Sequence, residues 1–294
     1  MANNIAKFKK YIDLLDEVYK VNAKTSILDG DTTLVRAGAN ADEIIIPKMT
    51  LDGLADYSRN SGYVNGDVTL TNETVKFNYD RGRAFTVDAM DNEETAGIAF
   101  GKLSSEFLRT KVVPEVDAFR LATYAGVSGI SSATGTLTSG NDALTAIVTA
   151  MSKMDDDEVS EEGRVLFITP TLYNLILNVD TSKSKAIMDR FASIVTIPQS
   201  RFVTAIELAD GTTSGEEAGG YTKASNGKNI NFMIIQKDAV LQYPKHVVNK
   251  VVSPEENQTS DGWKFFYRSY GLADVYENKV AGIYLNYDNT NASA

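Results

Sequence analysis

Thr74-Val75-Lys76-Phe77-Asn78-Tyr79-Asp80-Arg81-Gly82-Arg83-Ala84-Phe85-Thr86-Val87, followed shortly by Asp91-Asn92-Glu93-Glu94, sets the plan of the chain. Val75, Phe77 and Tyr79 alternate with Thr74, Lys76 and Asn78, the period of a half-buried strand. Arg81-Gly82-Arg83 reads as a break before the short β-prone run Ala84-Phe85-Thr86-Val87, with Asp80, Asp88 and Asp91 as nearby ion-pair partners. The acidic cluster after it supplies a cap, and negative charge for the positive end of a helix dipole. Leu103, Phe107, Leu108, Val112, Val116, Phe119 and Thr123 continue one helical face, so residues 92–125 read as a single long helix. At about 1.5 Å per residue it spans roughly 50 Å. Pro114, which lacks a donor N–H, should bend or divide it, and Gly126 and Gly129 end it.

Upstream, residues 31–90 read as extended strands and turns with thin apolar content. Glu43-Ile44-Ile45-Ile46-Pro47 is β-rich, residues 68–71 follow, and Asn60-Ser61-Gly62 and Asn65-Gly66-Asp67 are turn signals. A two-stranded arm without its own core is marginal in water, and its edges invite pairing with other chains. It is most simply explained if neighbouring copies cover it. Before it, Ile5, Phe8, Ile12, Leu15 and Tyr19 form one apolar stripe of a helix over residues 4–20. That stripe fits equally a surface helix on its own core or an arm laid on a neighbour.

Downstream the chain alternates helix and strand. Helices are expected over residues 142–154 and 170–177, the second opened by Thr169-Pro170. Strands are expected over residues 164–168, 194–197, 202–206 and 232–235. Residues 210–228, polar and glycine-rich, read as an exposed mobile loop. Trp263-Lys264-Phe265-Phe266-Tyr267-Arg268 is strongly β-prone, and residues 273–276 and 280–286 return as strands. The class is α+β.

The 294 residues carry a formal net charge of -10, 43% hydrophobic residues and no cysteine. Disulfides and thiolate chemistry are excluded, and no apolar run approaches the roughly 20 residues that span a bilayer. Residues 1–10 carry no hydrophobic signal core, so neither export nor membrane association is expected. The acidic surface argues against a dedicated DNA-gripping domain but not against a wall around DNA. His246, the sole histidine, lacks the convergent partners of a catalytic site, and no phosphate-binding loop occurs. Asp155-Asp156-Asp157-Glu158 could offer oxygen ligands to a divalent cation, as in a metal-assisted hydrolase, but reads better as a solvated helix end. No enzyme activity, cofactor or metal is expected.

The string Asp80-Arg81-Gly82-Arg83-Ala84-Phe85-Thr86-Val87-Asp88-Ala89-Met90-Asp91-Asn92-Glu93-Glu94-Thr95, with Arg109-Thr110-Lys111-Val112-Val113-Pro114-Glu115-Val116-Asp117-Ala118-Phe119-Arg120, resembles major capsid proteins of tailed bacteriophages. The order of elements resembles the Hong Kong 97-like coat fold. That resemblance implies an N-terminal arm (1–30), an extended β-hairpin loop over the adjacent subunit (31–90) and a peripheral domain with a spine helix (91–130 and 251–288). It also implies an axial domain (131–250) and a tail (289–294), with loop 210–228 a candidate axial tip or outward insertion. The implied function is self-assembly, through pentamers and hexamers, into the icosahedral head of a virion enclosing double-stranded DNA without sequence-specific binding. Assembly would take place in the bacterial host cytoplasm, with a portal. The short segment before the loop leaves no room for a fused scaffolding domain, so a separate scaffolding protein, or none, is expected. Phe8, Ile12, Arg81, Arg83, Arg109 and Lys111 are the expected subunit contacts. Lys48 and Lys76 match no crosslinking motif, so no covalent crosslink is expected. The alternative is a nanocompartment shell of the same fold.

Overall fold

A computed structural model describes residues 23–30, 36–37, 43–90, 98–179 and 181–289. Phe8, Ile12, the stripe over residues 4–20, and the helix start at Asp91–Glu94 lie outside the described residues.

The strands are β1 (Arg36–Ala37), β2 (Glu43–Leu51), β3 (Val68–Lys76), β4 (Tyr79–Asp88), β5 (Ser131–Thr134), β6 (Arg164–Ile168), β7 (Ser193–Thr196), β8 (Ile206–Leu208), β9 (Tyr221–Lys223), β10 (Asn229–Gln236), β11 (Val240–Val252), β12 (Gly262–Val275) and β13 (Ile283–Asp288). The helices are α1 (Ile98–Phe107), α2 (Val113–Gly126), α3 (Gly140–Asp156), α4 (Pro170–Leu177) and α5 (Thr181–Met188). Sheets run β1-β2-β3, β5-β13-β10-β6-β7, β11-β12-β4 and β8-β9.

The long helix survives Pro114 by a device the sequence reading missed. Between α1 and α2 lies a π turn, Leu108–Val112, in which Val113 N–H reaches Leu108 O, and Pro114 then sits in the first turn of α2. Widening the turn ahead of the proline absorbs the missing donor and the crowding of the preceding carbonyl, so the helix is neither cut nor capped there.

This helix packs on two sheets. In β6, β10 and β13 alternate side chains face opposite ways, as pleating requires. Val165, Phe167, Met233, Ile235, Ile283 and Leu285 join Leu121 and Tyr124 of α2 and Leu28 in one core. Leu166, Ile168, Phe232, Ile234 and Tyr284 join Ile147, Met151 and Met154 of α3 and Ile176 of α4 in another. Further back along the long helix, Leu108, Val112 and Val116 pack on Tyr79, Phe265 and Tyr267 of the β11-β12-β4 sheet. α3 is started by a capping box between Ser139 and Asp142.

Several sequence expectations are corrected by this arrangement. Arg81-Gly82-Arg83 does not break the strand; β4 runs through it in antiparallel register with β12, Arg83 opposite Tyr267 and Gly82 opposite Arg268. Gly82 is there for proximity, since a Cβ would stand 2.8 Å from Tyr267 O. Residues 202–205 form only the isolated bridge Val203–Asn229, and the strand expected over 202–206 starts at its last residue, Ile206, as β8. β11, unexpected from sequence, crosses the anticipated boundary at residue 250 to pair along β12. β13 joins the five-stranded sheet through β10, so residues 283–288 sit with the 131–236 segment and not with β12. The return strand β4 likewise belongs to the body, which leaves β2 and β3 as the projecting hairpin.

Three buried charges on α2 tie down segments distant in sequence. Glu115 accepts from Tyr79 Oη at 3.1 Å and Arg81 Nε at 2.9 Å. Asp117, fully buried, accepts from Thr25 N at 3.0 Å, Thr25 Oγ1 at 2.8 Å, Lys24 N at 3.2 Å and Arg201 Nη1 at 3.4 Å. Arg120 donates to Thr25 Oγ1 at 3.0 Å. Gln242 of β11 completes the group, donating to Thr25 O at 2.8 Å and accepting from Tyr124 Oη at 2.8 Å. Removing one partner from such a group leaves uncompensated buried polarity.

The acidic run closes α3. Asp155 meets Arg164 Nη1 at 2.7 Å and Arg190 Nη2 at 3.2 Å, and Arg190 also bonds Glu161. Arg164 is almost wholly buried, and its guanidinium further donates to Ser160 O and Val159 O. Burial pushes the Asp155 carboxyl up, but hydrogen bonds and charge from Arg164 and Arg190 more than offset this and hold it below the ordinary range.

Two outcomes are expected. Asp117→Ala should lower the unfolding free energy of the unassembled subunit by about 3–5 kcal/mol in urea titrations, and a loss below about 1 kcal/mol would show that the network holds nothing in place. Asp155→Asn should be destabilising near neutral pH. Because the folded value is depressed, that deficit should shrink as pH falls below about 4 and through the folded value. A deficit that is constant with pH would show that the carboxylate charge is not what stabilises the site.

Candidate subunit interface

Among the described residues the hairpin is anchored at its base. Ile44 of β2 and Val75 of β3 are buried against Leu241 of β11 and Leu272 of β12, with Ile46, Phe77, Tyr243 and Tyr276 packed around them. Lys48 Nζ meets Glu277 Oε2 at 2.6 Å, the ion pair that ties the hairpin shaft to the body among the described residues. Burial raises the Glu73 carboxyl above the ordinary range, helped by the charge of Glu277.

Beyond the base, register sets the chemistry of each face. Met49 lies opposite Leu70 and Leu51 opposite Val68, so these four share one face, while Lys48, Thr50, Thr69 and Thr71 share the other. The apolar four are all exposed, Leu51 and Leu70 at 67%. The end of the hairpin adds exposed Leu54, Tyr57, Tyr63 (87%) and Val64. The Tyr57 and Tyr63 rings pack on each other at 4.8 Å between centroids. Asp67 N donates to Asp52 Oδ2 at 2.8 Å, which closes the shaft. Monomeric proteins rarely leave so continuous an apolar stripe to water. Sequence reading identified the coreless arm but not this stripe, because Met49, Leu51, Val68 and Leu70 fall on one side only once β2 and β3 are paired.

A second surface lies along β4. Tyr79 to Phe85 of β4, the α1–α2 face from Leu103 to Glu115, and loop residues 209–211 and 218–220 enclose a groove of about 760 Å³. Phe85, Phe107 and Tyr267 give it an aromatic floor, with Phe85 and Phe107 edge-on at 4.8 Å. The expected contacts Arg81, Arg83 and Lys111 all line it. Arg81 is held by Glu115 and by Gly220 O at 3.3 Å, and Arg83 donates to Glu217 O at 2.9 Å. These bonds fasten the 217–220 part of the loop to β4, whereas residues 210–228 read in sequence as an exposed mobile loop. The expected partners of the pair fall elsewhere: Asp80 is engaged by Arg268, whose hydrogen bond lowers its carboxyl below the usual range, Asp88 accepts from Met90 N, and Asp91 lies outside the described residues. Arg109 pairs with Glu106 on its own helix at 2.7 Å. Lys111 is exposed on the π turn and makes no ion pair among the described residues.

Residues weighed for catalysis are dispersed. His246 is exposed on β11 opposite Tyr270, remote in sequence and sheet position from Asp155. Asp155 is occupied by two arginines, and Asp157 by Lys153. Among the described residues no group of three or more His, Asp or Glu side chains is placed to hold a metal, and no helix is long and apolar enough to cross a membrane.

No protein-family model and no curated protein matches the chain. Solved structures do. The capsid structure of cyanophage P-SCSP1u aligns at a TM-score of 0.54 with 13% identity over 87% of this chain and 86% of that one. The capsid of Myoviridae phage XM1 aligns at 0.53 with 12% identity over 87% and 89%. A virus-like particle from Pyrococcus furiosus aligns at 0.58 with 10% identity over 95% and 99%. With nearly the whole of each chain superposed, this protein has the fold of these capsid and particle subunits, the Hong Kong 97-like coat fold that the sequence resemblance implied.

Proposed function

We propose that this chain is the major capsid protein of a tailed bacteriophage, a structural and non-catalytic protein that assembles into an icosahedral shell. The observation that carries the reading is the exposed stripe Met49, Leu51, Val68 and Leu70 on a hairpin that the body, among the described residues, holds at its root. Each such side chain gains about 1.5–3 kcal/mol when fully buried, and a sister copy is the surface that every subunit in a closed shell has at hand. The fold shared with capsid subunits supports this choice over an unrelated partner.

In this reading the hairpin lies over the adjacent subunit and residues 1–30 form the arm. The α1–α2 helix with the β11-β12-β4 sheet forms the peripheral domain, and the five-stranded sheet with α3, α4 and α5 forms the axial domain. Residues 289–294 are a tail. Phe8, Ile12, Arg83, Arg109 and Lys111 contact neighbours, whereas Arg81 acts from within by orienting β4 on Glu115. Pentamers and hexamers close around double-stranded DNA held without sequence-specific contacts, with a separate scaffolding protein and a portal. The shell forms in the host cytoplasm and ends in the virion.

A second reading, a nanocompartment shell, is favoured by the coverage of both chains in the alignment with the Pyrococcus furiosus particle. The contents separate the two: nuclease-protected double-stranded DNA for a head, protein cargo for a compartment.

Purified protein, alone or with its scaffolding partner, should form closed particles by electron microscopy and light scattering. Leu51→Lys combined with Val68→Asp, opposite charges facing each other across the two strands, should leave the subunit folded, since exposed substitutions shift stability by only about 0.5 kcal/mol, but abolish particles. Unimpaired assembly of that variant, or a wild-type chain that stays monomeric under every assembly condition, would refute the proposal.

A further inference from the structure

Two Asn-Gly pairs occur in the chain, Asn65-Gly66 and Asn226-Gly227. Both asparagines are exposed, yet their glycines differ. The Gly227 N–H donates to Ala224 O at 2.8 Å, and a Cβ there would meet Ala205 O at 2.7 Å, so this backbone is enclosed and its nitrogen engaged. Gly66 lies in the exposed end of the hairpin with no backbone hydrogen bond from its N–H, and a Cβ on it would touch only Asp52 Cβ at an ordinary 3.6 Å. Gly66 is itself exposed.

We propose that Asn65 is a self-modifying site in the free subunit. The Gly66 backbone nitrogen gives up its proton to solvent and attacks Asn65 Cγ. The new N–Cγ bond forms as the bond from Cγ to the side-chain amide nitrogen breaks, and ammonia leaves with the returned proton. Water then opens the five-membered imide at either carbonyl, giving aspartate or isoaspartate, with no oxidant, metal or enzyme. The product places a further carboxylate beside Asp52 and Asp67 at the apolar end of the hairpin, and the isoaspartate form lengthens the main chain by one carbon. Conversion therefore marks subunits that have stood unassembled. That consequence rests on the shell reading; the conversion itself does not.

Full-length protein kept unassembled in mildly alkaline buffer should be followed by peptide mapping that separates aspartate from isoaspartate. Asn65 should convert about fivefold or more ahead of Asn226, the population cost of first breaking one net hydrogen bond at Gly227. Gly66→Ala, which the surrounding space accommodates, should suppress conversion at Asn65 and leave Asn226 and the unfolding midpoint unchanged. Asn226 keeping pace with Asn65, or Gly66→Ala converting at the wild-type rate, would overturn the inference. Assembled particles separate the two claims: equal rates in free and assembled protein would count against a covered hairpin while leaving Asn65 as the modified residue.

Discussion

Everything in this molecule is referred to one helix that must carry charge into the core. Between Val112 and Leu121 the helix is buried on almost all sides, with Glu115, Asp117 and Arg120 inside. Buried charge is tolerated only where hydrogen bonds and counter-charges meet it. Between them they commit distant parts of the chain: Glu115 takes β4, while Asp117 and Arg120 together take the segment at Thr25, and Asp117 also the turn at Arg201. The network does not have to add much stability to do this. It makes misplacing these segments costly, which fixes where the arm leaves the body and where the hairpin returns to it.

The consequence is a rigid root and an unsupported tip. From Glu115 through β4 to the small cluster at Ile44 and Leu272, the hairpin is defined; past Lys48, among the described residues, it has only its own two strands. A two-stranded ribbon with one apolar face is poorly stable by itself in water. Burial of that face by another copy would add hydrophobic stabilisation to order already set by the root, so association and local folding become linked. The groove beside β4 is lined by the aromatic rings of Phe85, Phe107 and Tyr267 together with charged residues of both signs, Lys111 and Arg83 among the cations and Glu106 and Asp210 among the anions.

Much of this was legible from residue order. The apolar run of β6 and Trp263–Arg268 read correctly as strands, and the long helical face was followed across Pro114; the alternating run Thr74–Tyr79, read as one strand, is instead divided at Phe77-Asn78 between the end of β3 and the start of β4. What escaped had physical causes. β11 was hidden by Pro244, Lys245 and Lys250, which are poor choices for a central strand but suit the sheet edge it occupies, with a bulge after Pro244. Gly82 looked like a turn residue because a glycine needed for close strand approach leaves the same trace as one needed for a reversal. The burial of Glu115, Asp117 and Arg120 was not legible, since their partners Arg81, Thr25 and Arg201 are distant in sequence. The interface stripe became visible only through pairing register.

Completion of residues 49–70 by a sister copy can be measured as hydrogen exchange of their backbone amides, compared between free subunit and purified assembly. Exchange should be rapid in the free chain and markedly slower on assembly, with the amides of β6 and β10 slow in both. Equal exchange of residues 49–70 in the two states, or slow exchange already in the isolated molecule, would contradict completion by a sister copy.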